Sequence, residues 1–386
     1  MTKYKDVMLV LLITFLYHTM NQMFVPTLPL YITDLGGSEV VVGGIVGLLS
    51  VGAVVAKVYL GKTATRRSNL FVLRIGLVIA TLVLFLYQPF LGFGFLALVR
   101  LLQSVGLGGF VVGAQGMLSD HTKPQNRGFF FGIFAAMIGL GMMVGPMLGS
   151  FLAENFGYSI LFWGATSVAG LAAVLSLPME GKTTAGGVGM GRQYQPHSPW
   201  KNRDLLVLSG SILVAAAVVG ATSSMLTLHA RAVGIASPSL FFSVFALAYT
   251  LSGASSGYLS DRFGHNALII PGFGLLILGL LLLAGLNGMV LLFLAAVLVG
   301  VGFGCVNTVL IAMVPGVSIN QVDAPNDLAF FSNAFDVGVV LGSMGLSWLA
   351  AKSYGFFWLA VAALNMLGLV LYVRYNPEKR SAEAQA

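Results

Sequence analysis

Long apolar stretches, each closed by a short cluster of polar or basic residues, recur from one end of the chain to the other. A bilayer core about 30 Å thick is crossed by roughly 20 apolar residues in a helix. The pattern predicts twelve such spans, at residues 7–31, 39–60, 70–88, 92–117, 128–152 and 158–178, then 204–230, 238–259, 267–286, 288–314, 327–350 and 354–375. Between the sixth and seventh spans, residues 179–203 are polar and rich in Gly, Thr, Gln and Pro, which predicts a linker. The expected fold is therefore an all-α membrane protein with six-helix bundles at 1–178 and 204–386. The first span follows Lys3 and Lys5 but outruns the apolar core of a secretory signal and has no small-residue cleavage pattern after it, so a retained helix is expected.

Composition agrees with lipid as the solvent: 57% of the 386 residues are hydrophobic and 9% charged, with a mean hydropathy of +0.91. The placement of basic residues then sets orientation, because positively charged loops resist translocation. With a cytoplasmic amino terminus, the inner loops hold every Lys and Arg except Arg231 and Lys352 outside, and Lys57 and Arg100 within spans. Both termini are expected in the cytoplasm. The formal charge of +7 is then accounted for by the anionic inner leaflet, with no nucleic-acid partner. The single Cys305 excludes a disulfide framework.

The two halves echo one another. "GKTATRRSN" from Gly61 and "GYLSDRFGH" from Gly257 lie 196 residues apart, as do "SVGLGGF" from Ser104 and "GVGFGCV" from Gly300. Gly141, Gly145 and "FLA" at 151–153 fall over Gly338, Gly342 and "WLA" at 348–350 with a displacement of 197. Six plus six helices in parallel repeat is an architecture of secondary transporters.

Four motifs carry a family resemblance: "GYLSDRFGH", "RLLQSVG" from Arg100, "SDHTKPQNRG" from Ser119 and "GMMVGPMLGS" from Gly141. With them the whole chain resembles the major facilitator superfamily, and most of all its bacterial efflux branch of drug/proton antiporters and sugar or metallophore exporters. The resemblance implies a bacterial-type cytoplasmic membrane, a small-molecule substrate and a proton gradient in place of any cofactor; the oligomeric state is left open by the sequence, with a monomer as the default. It also implies conformational roles for Gly141, Gly145, Pro146 and Gly149 in helix 5, and for Gly257, Asp261, Arg262 and Gly264 in the loop after helix 8. Glycines four apart let helix backbones approach closely in lipid, and Pro146 removes a backbone hydrogen bond that neighbours must replace. Ordinary small-residue packing is the competing reading. The first-half loop departs from the family pattern, with Thr65 in the acid position and Ser68 in place of glycine. Arg66 and Arg67 there, with Asp323 and Asp327 near the start of helix 11, form either a reversed-charge latch or simple topology and capping charges.

Ionisable groups inside spans are costly and hence functional candidates. Asp336 is the one acid well inside a span, with Asn333 one turn earlier, and is expected either to carry the coupled proton or to hold neighbouring helices. His18, with Asn21 and Gln22 on its face, is either a proton or substrate group or a packing histidine. Arg100 and Gln103, one turn apart on helix 4, point toward helix 1, where no acid awaits them; polar side chains, carbonyls or a substrate anion must serve. Lys57, expected one turn from the end of helix 2, either gates, binds or snorkels. Asn307, and least of all Thr222, Ser223, Ser224 and Thr227, complete the expected cavity. Its charge suits a neutral, zwitterionic or anionic substrate better than a lipophilic cation. No Walker loop, metal-ligand cluster or Ser/His/Asp arrangement is present in the sequence. The expected function is proton-coupled efflux of small organic molecules, with two alternatives: an exporter dedicated to one metabolite such as a metallophore or sugar, or a non-transporting receptor or scaffold.

Overall fold

The computed structural model describes residues 5–123, 126–181, 198–319 and 324–375. It is all-helical. In order come α1 (Lys5–Asp34), α2 (Glu39–Arg66), α3 (Asn69–Phe85), α4 (Phe93–His121), α5 (Arg127–Phe156) and α6 (Tyr158–Leu175). A 3₁₀ turn (Pro199–Lys201) leads into α7 (Arg203–Ala232), α8 (Ser239–Phe263), α9 (Asn266–Ala284), α10 (Met289–Val317) and α11 (Ala324–Val340). The last described helices are α12 (Ser347–Ala350) and α13 (Tyr354–Tyr375). Among the described residues eleven helical stretches are long and apolar enough to cross a membrane, with Asn326–Ala350 as one of them. Asn69–Phe85, the expected third span, is apolar but only 17 residues long. Most of the expected linker, 182–197, lies outside the described residues.

Two differences from the sequence pattern have local causes. The eleventh span is not one continuous α-helix, since a π turn at Leu341–Gly345 separates α11 from α12. There Gly342 lies against the Ala217 carbonyl of α7, and Gly220 of α7 lies beneath Val339 and Ser343. Such π turns often occupy functional positions. Second, α2 continues to Arg66, so Lys57 stands more than two turns inside it rather than one turn from its end.

Two units divide the chain, Met1–Gly37 with Leu48–Arg192, and Ser38–Gly47 with Gln193–Ala386. In the first, α1 packs on α5 and α6, and α3 on α4 and α6. In the second, α7 packs on α11 and α13, α9 on α10 and α13, and α8 on α10. The contacts repeat along with the sequence. Gly76 meets Gly109 as Gly272 meets Cys305, and Gly106 meets Ala80 as Gly302 meets Leu276, every residue displaced by 196. Arg74 of α3 closes the end of α6 in the first unit, donating to the carbonyls of Ser176, Leu177 and Met179 at 2.9–3.2 Å.

Candidate functional site

The first unit gathers its polar interior on α1 and α4. His18 is half-buried, and its Nδ1 lies 3.0 Å from the Thr14 carbonyl, one turn earlier. A carbonyl only accepts, so Nδ1 carries a proton, and in the neutral form of the ring Nε2 is then the acceptor. Tyr17 and Phe110 stack at 3.9 Å between centroids, and His18 stands edge-on to both at 6.1 and 5.5 Å. One turn along α1, Asn21 Oδ1 accepts from Gln103 Nε2 at 3.4 Å. Gln103 Oε1 accepts twice, from Arg100 Nη1 at 2.9 Å and from the Tyr87 hydroxyl at 2.7 Å.

Arg100 is only 4% exposed, and its Nε is buried without a hydrogen-bond partner. Its hydrogen-bonded partners are the neutral Gln103 amide and the neighbouring Tyr87 phenol, so among the described residues no carboxylate counter-ion is bonded to the guanidinium. Tyr87 is the residue that sequence reasoning missed here. It follows α3 in sequence and nothing in the local pattern signals that it reaches α4.

The helix 5 glycines position this cluster. A Cβ on Gly141 would stand 2.7 Å from His18 Cβ, and one on Gly145 would stand 2.6 Å from Gln22 Cβ and from the Thr19 carbonyl. Gly149 faces the Met23 backbone in the same way. The stripe therefore lies against α1, inside the first unit, directly behind His18 and Gln22. Pro146 is buried within α5, which runs unbroken from Arg127 to Phe156. Lys57 is half-buried on α2 at the level where Gly108 of α4 touches Ala56 and Lys57.

In the second unit Asp336 is 6% exposed on α11, with Asn333 a turn before it. Asn307 of α10 donates to the Tyr249 hydroxyl of α8 at 3.1 Å. Thr222, Ser223 and Ser224 bond back to carbonyls of their own helix at 2.7–2.9 Å, while the Thr227 hydroxyl is buried without a partner. A second network was not foreseen. Trp358 Nε1 donates to His229 Nδ1 at 2.9 Å, Tyr354 stacks on that imidazole at 5.0 Å, and the Tyr354 hydroxyl meets Glu39 at 3.2 Å. His229 was overlooked because it stands in the last turn of α7, where a histidine reads as a C-terminal charge.

The loop charges divide. Gly264 ends α8 with φ +86°; Asp261 and Arg262 are exposed just before it, and Arg262 lies over the Phe263 ring. Gly257 has open space where a Cβ would stand. Asp327 is 4% exposed in the first turn of α11, where a helix N-terminus favours an acid. Arg67 stacks over Phe71 at 4.9 Å. The Arg66 side chain and Asp323 lie outside the described residues.

The model of the Major Facilitator Superfamily matches residues 10–318 and, as a second match, residues 208–386. The chain belongs to that superfamily. As a superfamily member it is a multi-pass membrane protein of transporter type, in a family of transporters rather than enzymes. Its curated relatives include the quinolone resistance protein NorA of Staphylococcus aureus, 26% identical over 153 residues. That match covers 40% of this chain and spans only 39% of the relative's length. The staphylopine export protein of Staphylococcus aureus is 24% identical over 385 residues, 94% of this chain and 93% of that one. Among solved structures, a variant of the nucleoside transporter NupG has a TM-score of 0.80 at 16% identity, covering 96% of this chain and 99% of that one. A bacterial homologue of the human lysosomal transporter Spinster reaches 0.83 at 12% identity, with 98% of both chains covered. At these identities the likeness is one of fold.

Proposed function

We propose that this transporter is a proton-coupled exporter of small organic molecules, working by alternating access between six-helix domains at 1–178 and 204–386. In this reading it sits in a bacterial-type cytoplasmic membrane with both termini inside. The observation that carries it is the buried Arg100 guanidinium, held by a neutral amide and with Nε unpartnered, in a cluster that also presents the accepting Nε2 of His18. A buried cation without a counter-ion is costly, and an anionic or zwitterionic group on the substrate is the natural acceptor. Asp336 is the buried acid for the proton in the second half, and His18 Nε2 is a second proton position. Likeness over part of the chain to NorA and over nearly all of it to the staphylopine exporter supports export.

The test is proton movement in proteoliposomes of the wild type and Asp336→Asn, challenged separately with pools of cationic drugs, zwitterionic metabolites and carboxylate-rich chelators. Flux evoked by a zwitterionic or anionic pool and lost in the variant is the expected result. Flux evoked only by cationic drugs would overturn the substrate class. Flux unchanged in Asp336→Asn would remove that residue from coupling. A second reading, an exporter dedicated to one metabolite, is favoured by the near-complete coverage of the staphylopine exporter. It predicts that a single compound class accounts for all flux.

A further inference from the structure

Two apolar cavities flank the same face of α7 in the second unit. One, about 420 Å³, lies between α7 and α13 and includes Leu367 and Leu371. The other, about 480 Å³, lies between α7 and α11 and includes Phe330 and Val337. Leu206, Gly210 and Leu213 line both. The floor they share is low because Gly210 has no side chain and nothing stands within 4 Å of where its Cβ would be. Val337, Leu367 and Leu371 are each about half exposed, and exposed apolar side chains on membrane-crossing helices meet acyl chains.

Both cavities reach the start of α7, and there the chemistry changes. Arg203, the first residue of the helix, lines the α13 side and lies over the Tyr375 ring at 4.8 Å. Trp200, 71% exposed, lines the α11 side and meets Phe330 edge-on at 5.0 Å. Lys201 stands between them in sequence. This end is fixed in place: Asn202 caps α7 by accepting from the Leu205 amide at 3.1 Å and donates to the Val317 carbonyl at 2.7 Å. A helix N-terminus adds its own positive potential to Arg203 and Lys201, and tryptophan favours the headgroup level. Farther down, the buried Ser209 hydroxyl lines the α11 cavity and has no hydrogen-bond partner among the described residues.

We propose that this groove binds one anionic diacyl phospholipid astride α7, with its phosphate at Arg203, one acyl chain on each side of Gly210, and the Ser209 hydroxyl donating to a glycerol ester carbonyl. Two apolar cavities over one shared floor, with Arg203 at the end of the α13 side and Trp200 at the end of the α11 side, match a ligand with two chains and one negative head, the acid of that turn being Asp204. A soluble metabolite offers no such pairing of shapes. The site lies wholly in the second unit and does not involve the Arg100 cluster; it meets the candidate transport residues only at Asn333, which lines the α11 cavity, and lipid retention is read without any transport assay.

The experiment is native mass spectrometry of delipidated full-length protein titrated with dioleoyl phosphatidylglycerol or dioleoyl phosphatidylcholine. Wild type is expected to retain one phosphatidylglycerol in preference to phosphatidylcholine by about fivefold, the value of one basic residue near an anionic lipid surface. Arg203→Gln should abolish the preference while leaving retention of both lipids. Gly210→Leu should reduce retention of both, and it keeps the fold because its side chain enters open space and leucine favours a helix over glycine. Unchanged melting and monodispersity of Gly210→Leu would establish that the loss is local. Equal retention of the two lipids by wild type would overturn the phosphate assignment, and retention by Gly210→Leu equal to wild type would overturn the groove itself.

Discussion

Gln103 is the residue on which the polar cluster of the first unit turns. Its Oε1 receives both Arg100 and Tyr87, and its Nε2 reaches Asn21, so one amide serves a cation, a phenol and the neighbouring helix. Replacing Gln103 with Leu leaves the guanidinium without its amide acceptor and the Tyr87 hydroxyl without the oxygen it donates to. An unmade bond to a buried charged group costs about 2 kcal/mol, and the thermal midpoint of the detergent-solubilised variant should fall accordingly. Adding Arg100→Met removes the unsatisfied charge and should recover part of that loss, because the two residues form one network. A strictly additive double variant would show that Arg100 does not depend on Gln103.

At the scale of the element, the helix 5 glycines act through α1. Gly145→Val brings methyl groups into the Thr19 carbonyl and Gln22 Cβ, both 2.6 Å from the site of a Cβ, and must push α1 and α5 apart. Gly132, on the same helix, has nothing within 4 Å. Gly145→Val should therefore lower the thermal midpoint and abolish transport in reconstituted vesicles, whereas Gly132→Val should change either little. Equal tolerance of the two would mean that the stripe packs more loosely than its geometry indicates. The spacing of Gly141, Gly145 and Gly149 made this face legible in the sequence, since residues four apart share a face of a helix. Its partner was not legible, because close packing in lipid is directed by shape and every apolar helix offers some small residues. The π turn at Leu341–Gly345 was hidden for a related reason: hydropathy is blind to one extra residue in a turn.

At the scale of the whole molecule, the twelve apolar stretches and the 196-residue echo were legible because lipid enforces helix length and duplication leaves register behind. The candidate site was legible in its ionisable members and in the amides beside them, such as Asn21 and Gln103, but not in its aromatic ones. Arg100, His18 and Asp336 stand out wherever charge is rare, while Tyr87 and the His229–Trp358 pair become visible only through contacts between helices. The repeat also makes a prediction that neither unit makes alone. In the first unit Gly52 of α2 lies against Ser104 of α4. The equivalent pair in the second is Ala248 of α8 against Gly300 of α10, with the small residue transferred to the other helix. Gly52→Ala by itself drives its Cβ into the Ser104 side chain, whose Cβ stands 2.8 Å away, and overpacking of this kind costs about 1–3 kcal/mol. Adding Ser104→Gly recreates the arrangement the second unit already uses and should return the thermal midpoint close to that of the wild type. Failure of that rescue would mean that equivalent positions of the two units no longer share a common backbone separation, and that the duplication survives in sequence register without interchangeable packing.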